Sequence, residues 1–174
     1  LLLLVGSGLL IKSFIRLTSV DLGYDTREVL AARIRLTPTR YTGFQAQSDF
    51  FQRLTDALAQ NPGVANVSLS RTLPLTGGVQ ILAFDPRQVR PDYPEEFLAS
   101  RMSVVAPGYF ATTGIALRRG RDFIATDRAD APRVAVINTE LADLLWPGQD
   151  PVGKSIPVAF PGAGATSVTV IGVI

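Results

Sequence analysis

The sequence predicts a mixed α+β domain preceded by the end of a transmembrane helix. Three observations predict it. The chain opens on an apolar run, LLLLVGSGLLI. Behind that run, segments of period two alternate with segments of helical period. Between residues 29 and 70 the order is strand, helix, strand with short connections, which reads as a βαβ unit with its two strands parallel.

The apolar run from Leu1 to Ile11 is shorter than the roughly 20 residues that span a bilayer. It reads as the outer end of a transmembrane helix, residues 1–16, with Lys12 and Arg16 near the headgroups. Gly6, Ser7 and Gly8 allow close helix packing there. A clipped signal-peptide core and a buried helix of a soluble domain are the alternatives. A chain that opens inside such a run and stops at the end of a strand reads as a piece of a longer protein. Residues 17–28 form a polar linker with turn chemistry at Gly23 and Asp25.

VLAARIRL, residues 29–36, sets Leu30, Ala32, Ile34 and Leu36 on one face and Arg33 and Arg35 on the other, the pattern of a half-buried strand. Thr42 with Gln45 has capping-box spacing and opens a helix over 44–60. Its apolar side carries Phe50, Phe51, Leu54, Ala57 and Leu58. Asn61-Pro62-Gly63 stops it, and VANVSLS, residues 64–70, is the second strand. Residues 71–98 are irregular, with a short strand at VQILAF. They read as a solvated loop, and alternatively as a loop that contacts a partner. ASRMSVV, residues 99–105, alternates as a strand. Pro107 starts a short helix that Gly114 ends. RVAVI, residues 133–137, is a strand, Asn138 an N-cap, and TELADLLW, residues 139–146, a helix with Leu141, Leu144 and Leu145 on one side. SVTVIGVI, residues 167–174, is the last strand.

Composition narrows the chemistry. The 174 residues carry a net charge of +2 and contain neither His nor Cys. That excludes a Ser-His-Asp triad, imidazole or thiolate metal ligands, and disulfides. No basic run interleaved with aromatic residues points to nucleic acid.

One motif invites a catalytic reading. Gly148, Gly153, Lys154 and Ser155 match G-x-x-x-x-G-K-[ST], the phosphate-cradling loop of nucleotide hydrolases. Such a loop follows a strand and opens a helix after the Lys, adding that helix's positive end to its backbone donors. Here the order is reversed. A helix precedes the loop, Pro157 and Pro161 follow it, and Pro151 removes a donor inside it. The segment therefore reads as a turn leading into a strand, with Lys154 exposed. Arg118, Arg119 and Arg121 around Gly120 have the makings of an anion site, against local pairing with Asp122 and Asp127. Asp122, Asp127, Asp130 and Glu140 scatter over turns and a helix start, where carboxylates cap and solvate. No catalytic, cofactor-binding or metal-ligating residue is assigned.

The order of segments resembles a known family. GLLIKSFIRLTSVDLGYDTREVLAARIRL is similar to the junction of the first transmembrane helix and the extracytoplasmic domain of MacB-like ABC transporter permeases, in particular the acidobacterial duplicated orphan permeases. The likeness continues through PGVANVSLSRTLPLTGG, MSVVAPGYFATTGIALRRGRDF and VAVINTELADLLWPGQDPVGKSI to VTVIGVI. It implies a porter-like, βαβ-containing mixed sheet over residues 17–112 and a smaller inserted α/β subdomain, incomplete, over 113–174. It implies a non-catalytic domain on the periplasmic side of the inner membrane that transmits ATP-driven motion to a substrate or partner. It also implies a cytoplasmic ABC ATPase domain or subunit, a homodimer and, in some members, a periplasmic adaptor. The competing readings are a small phosphate-hydrolysing α/β enzyme using the 148–155 loop and a membrane-anchored ligand-binding module.

Overall fold

The computed structural model describes residues 2–18, 23–24, 28–72, 80–128, 130–160 and 164–174. Asp25 of the linker, residues 73–79 of the middle segment and Pro161 lie outside the described residues.

Helix α1, Leu2–Thr18, carries the apolar opening run. Its 17 residues rise about 25 Å at 1.5 Å each, short of the roughly 30 Å hydrocarbon layer. No described helix is long and apolar enough to cross a membrane.

Helix α2, Gly43–Ala59, falls where the apolar period places it. The capping box does not form: the Thr42 side chain caps nothing, and the Gln45 amide donates to Asp49 Oδ1 at 2.8 Å instead. Gly43 stands in the left-handed region, φ 83°, so the chain enters α2 through a bend that only glycine takes without strain. Tyr41, Phe50 and Phe51 stack edge to face along one side.

The two strands expected around α2 are not paired as strands. Residues 29–36 join no ladder, and Leu30 is 95% exposed. Residues 64–70 make only an isolated antiparallel bridge, Ser70 to Val105. Alternation marks which face of a strand is apolar, but a strand also needs a neighbour to take its backbone bonds. Among the described residues, 29–36 has none.

The parallel crossover is built elsewhere. Strand β4, Val134–Ile137, runs parallel to β6, Gly164–Val173, with helix α4, Thr139–Leu145, between them in sequence. Strand β5, Ser155–Phe160, pairs antiparallel with the first part of β6, and the two-residue β3, Arg119–Gly120, with its last part. Strand β6 is thus the spine of a four-stranded mixed sheet. Strands β1, Gln80–Phe84, and β2, Leu98–Met102, form a separate antiparallel pair. Helix α3, Tyr109–Thr113, lies between β2 and β3 in the chain.

Local chemistry explains α4. The Asn138 side chain accepts from the Leu141 N–H at 3.1 Å, satisfying one open donor at the helix start. Ala142, Leu145 and Trp146 then turn inward onto Ile156, Val158, Val168 and Val170. Phe84, Leu82 and Leu98 of the β1–β2 pair join the same core. Leu145 is 1% exposed and Val170 fully enclosed. Burial of each such side chain stabilises the fold by about 1.5–3 kcal/mol. Among the described residues the buried apolar side chains all come from 84–173, so this half holds the core.

Candidate functional site

The turn at 147–156 has no free phosphate cradle. Its geometry follows from what surrounds it. Helix α4 ends at Leu145, Gly148 and Gly153 take φ of 70° and 85°, and Ser155 opens strand β5. No helix starts at the Lys154–Ser155 position. Three of the backbone donors around the Gly153-Lys154 corner are already used. The Val152 N–H donates to Asp150 Oδ1 at 3.1 Å, the Gly153 N–H to the Val170 carbonyl at 2.8 Å, and the Lys154 N–H to the Pro151 carbonyl at 3.0 Å. Pro151 itself is buried. The Lys154 ammonium lies 5.4 Å from the Trp146 ring centre and donates to Gln149 Oε1. It is half-buried between Trp146 and Gln149, not exposed as the sequence suggests. A triphosphate needs several converging N–H groups and a helix start behind them, and this turn offers neither.

The basic turn around Gly120 resolves into local pairing. The Arg121 guanidinium grips Asp127 with two bonds, 2.7 and 2.9 Å. Asp127 also accepts from the Ile124 N–H at 2.9 Å. These donors hold the Asp127 carboxyl below its ordinary range, with the Arg121 bond the larger cause, and the same pair raises Arg121. Asp122 is occupied with backbone: Oδ2 accepts from the Gly108 N–H at 3.2 Å and Oδ1 from the Phe123 N–H at 2.6 Å. Arg118 and Arg119 point to solvent without such a frame. Surface guanidinium groups alone make no binding site.

The middle segment is more ordered than its composition suggests. After β1, Asp85 caps a 3₁₀ turn, Pro86–Gln88, by accepting from the Arg87 N–H at 3.0 Å. The Arg87 guanidinium bonds Asp85 and reaches Glu96 at 2.8 Å, closing the loop on itself. The Arg87 bond lowers the Asp85 carboxyl from its usual value. Arg90 bonds Asp92 and donates to the Leu144 carbonyl at 2.9 Å. A cation on the last carbonyls of α4 suits the negative end of that helix. The Asp-Pro-Arg run is the sequence signal for the 3₁₀ start, being a cap residue followed by proline. The Arg90 contact spans 54 residues and has no local signal. Ala83–Asp85 and Gln88 of this segment face Pro157–Ala159 and Ala165–Thr166 across a shallow cleft. Among the described residues, no cluster of three or more acidic side chains is placed to hold a metal.

Fold and geometry therefore define a mixed helix-and-sheet domain with a well-packed sheet half and surface loops fixed by local ion pairs. The chain belongs to the family of MacB-like periplasmic core domains, whose family model matches residues 12–174. Two solved structures are similar. The extracellular domain of the noncanonic ABC-type transporter YknZ from Gram-positive bacteria is 24% identical, with a TM-score of 0.45, over 70% of this chain and 55% of its own. The periplasmic region of MacB from Actinobacillus actinomycetemcomitans is 20% identical, with a TM-score of 0.44, over 68% of this chain and 47% of its own. The chain spans about half the length of these solved domains. No curated protein matches the sequence.

Proposed function

We propose that this periplasmic core domain is a non-catalytic mechanical and binding module of an ABC-type permease. It passes ATP-driven motion to a substrate or partner outside the inner membrane. The observation that carries the reading is the family match over residues 12–174. The engaged donors of the 147–156 turn support it, because the energy source must then lie on another domain or subunit, a cytoplasmic ABC ATPase. Residues 1–16 serve as the end of a transmembrane anchor, 17–112 as the porter-like part and 113–174 as the smaller part. In that division the β1–β2 pair of the first part rests on the core of the second. The permease works as a homodimer, with a periplasmic adaptor as a further partner.

Motion passed from anchor to domain requires a stiff joint over residues 12–28. Inserting a flexible Gly/Ser segment next to Gly23 in the full-length permease should leave the domain folded and ATP hydrolysis running while export fails. Unchanged export in that variant would count against transmission. A titration with ATP and magnesium addresses the hydrolase alternative. No saturable binding is expected, and micromolar binding lost in Lys154→Ala would favour the enzyme.

A further inference from the structure

The part of the chain around α2 has no core of its own. Among the described residues from 28 to 72, not one side chain is buried. Its link to the sheet half can be followed bond by bond. Leu69 and Arg71 exchange backbone bonds with Ala106 and Val104, at 2.8 and 2.9 Å. The Ser68 hydroxyl lies within bonding distance of the carbonyls of Ala106 and Pro107, at 3.2 and 3.1 Å. The next residue, Gly108, donates its N–H to Asp122. Two residues further on, the Phe110 ring stacks on Phe123, 6.2 Å between centres and 21° between planes. Asp122 and Phe123 are in turn anchored to the sheet, since the Arg121 N–H donates to the Ile171 carbonyl of β6 at 2.8 Å.

Helix α3 sits in the middle of this chain of contacts. It is five residues long, and Phe110 is its buried side chain. It is bracketed by Gly108 at φ 79° and Gly114 at φ 70°, both in the left-handed region. Thr112 and Thr113 close their hydroxyls back onto the Gly108 and Tyr109 carbonyls, so α3 is tied together internally. A short, self-bonded element with one buried ring and a glycine at each end belongs to the low-stability end of a fold. Glycine pairs of this kind absorb the dihedral changes of a hinge.

We infer that Asp122 and Phe123 form a clasp that holds α3, and with it the 64–72 strip, on the β-sheet, and that α3 opens as a unit between Gly108 and Gly114 when the clasp is released. This holds whether or not the domain transmits motion. The carboxylate fixes the N–H of Gly108 at the start of α3, and the ring fixes the Phe110 side chain two residues on. Neither contact belongs to the core of Leu145 and Val170. Release therefore frees residues 108–114 and leaves the core packed.

Hydrogen–deuterium exchange of the full chain tests this in Asp122→Ala and Phe123→Leu. In both variants the amides of 108–114 should exchange about tenfold faster, the effect of one lost bond or ring contact on a local opening. Amides of β4 and β6 should keep their protection. Unchanged exchange over 108–114 in either variant overturns the inference. So does equal acceleration in β4 and β6, which would make these residues general stabilisers of the fold.

Discussion

Strand β3 meets β6 at two glycines, and the crowding there sets a sharp expectation for Gly120→Ala. Gly120 has φ 75°, and a Cβ built on it would collide with the Ile171 carbonyl oxygen and lie 2.8 Å from Gly172 Cα and 2.9 Å from the Ile171 carbonyl carbon. All three atoms are backbone, so no side-chain rotation relieves the clash. The left-handed conformation costs a non-glycine residue about 1 kcal/mol. Beyond that, β3 must lift from β6. Lifting sacrifices the bonds from the Arg118 N–H to the Val173 carbonyl, 2.7 Å, and from the Arg121 N–H to the Ile171 carbonyl, 2.8 Å. At about 1 kcal/mol net for each bond, the loss totals about 3 kcal/mol. Gly148→Ala is the matched control. Its φ is 70°, but the space around it is open, so it should lose only about 1 kcal/mol. Urea denaturation followed by Trp146 fluorescence measures both, since this single tryptophan lies in the core. Equal midpoints for the two variants would refute the close-approach reasoning and leave backbone conformation as the whole effect.

Other expectations use the same assay. Leu145→Ala removes an enclosed side chain under α4 and should lose about 3 kcal/mol, with little relaxation of the surrounding valines. Asn138→Ala deletes the cap bond to the Leu141 N–H and should lose about 1 kcal/mol, while Asn138→Asp should lose less. The Asp127 carboxyl is depressed in the fold by Arg121, so its contribution is fully present above the unfolded carboxylate value near ~3.9. That contribution is lost as pH falls through the lower folded value. The urea midpoint of the native chain should therefore drop below about pH 4, and Asp127→Asn should flatten that drop while lowering the plateau above it. A midpoint curve of identical shape in the variant would exclude the Arg121 pair as a source of acid sensitivity.

The sheet half was legible because its signals are local. Asn138 caps the helix that follows it, Leu141, Leu144 and Leu145 mark one helix side, and the valines of 167–174 fit a buried strand. Nothing there depends on a distant residue to be recognised. The half around α2 was legible only in part. The helical period of Phe50, Phe51, Leu54 and Leu58 placed α2 to within one residue at each end. The alternation of Leu30, Ala32, Ile34 and Leu36 fixed faces but not pairing, and pairing depends on a second segment that the pattern does not contain. The capping box failed for a related reason. Spacing brought Thr42 and Gln45 to the right positions, but Gly43 bends the entry, and Asp49 stands one turn from Gln45 as a nearer partner. Residues 86–97 are a loop apart from the 3₁₀ turn Pro86–Gln88, and what the pattern did not show is how Arg87 and Arg90 fix it, because their partners at Glu96 and Leu144 are set by tertiary placement.

The turn at 147–156 shows why a spacing match needs its surroundings. Gly148 and Gly153 are glycines for a reason independent of any ligand, because both stand in the left-handed region that a reversal between α4 and β5 imposes. Lys154 covers the exposed edge of Trp146, a use of its stem and charge that packing favours. Ser155 opens a strand, and its hydroxyl lies 3.5 Å from that of Thr169 on the neighbouring strand. Each residue of the motif thus has a structural cause, and the Gly153 and Lys154 N–H groups and the Lys154 ammonium are engaged where a phosphate would need them free. The same four residues before a helix would form an anion cradle; before a strand they form a corner. Element order was readable without coordinates, and it separated the two.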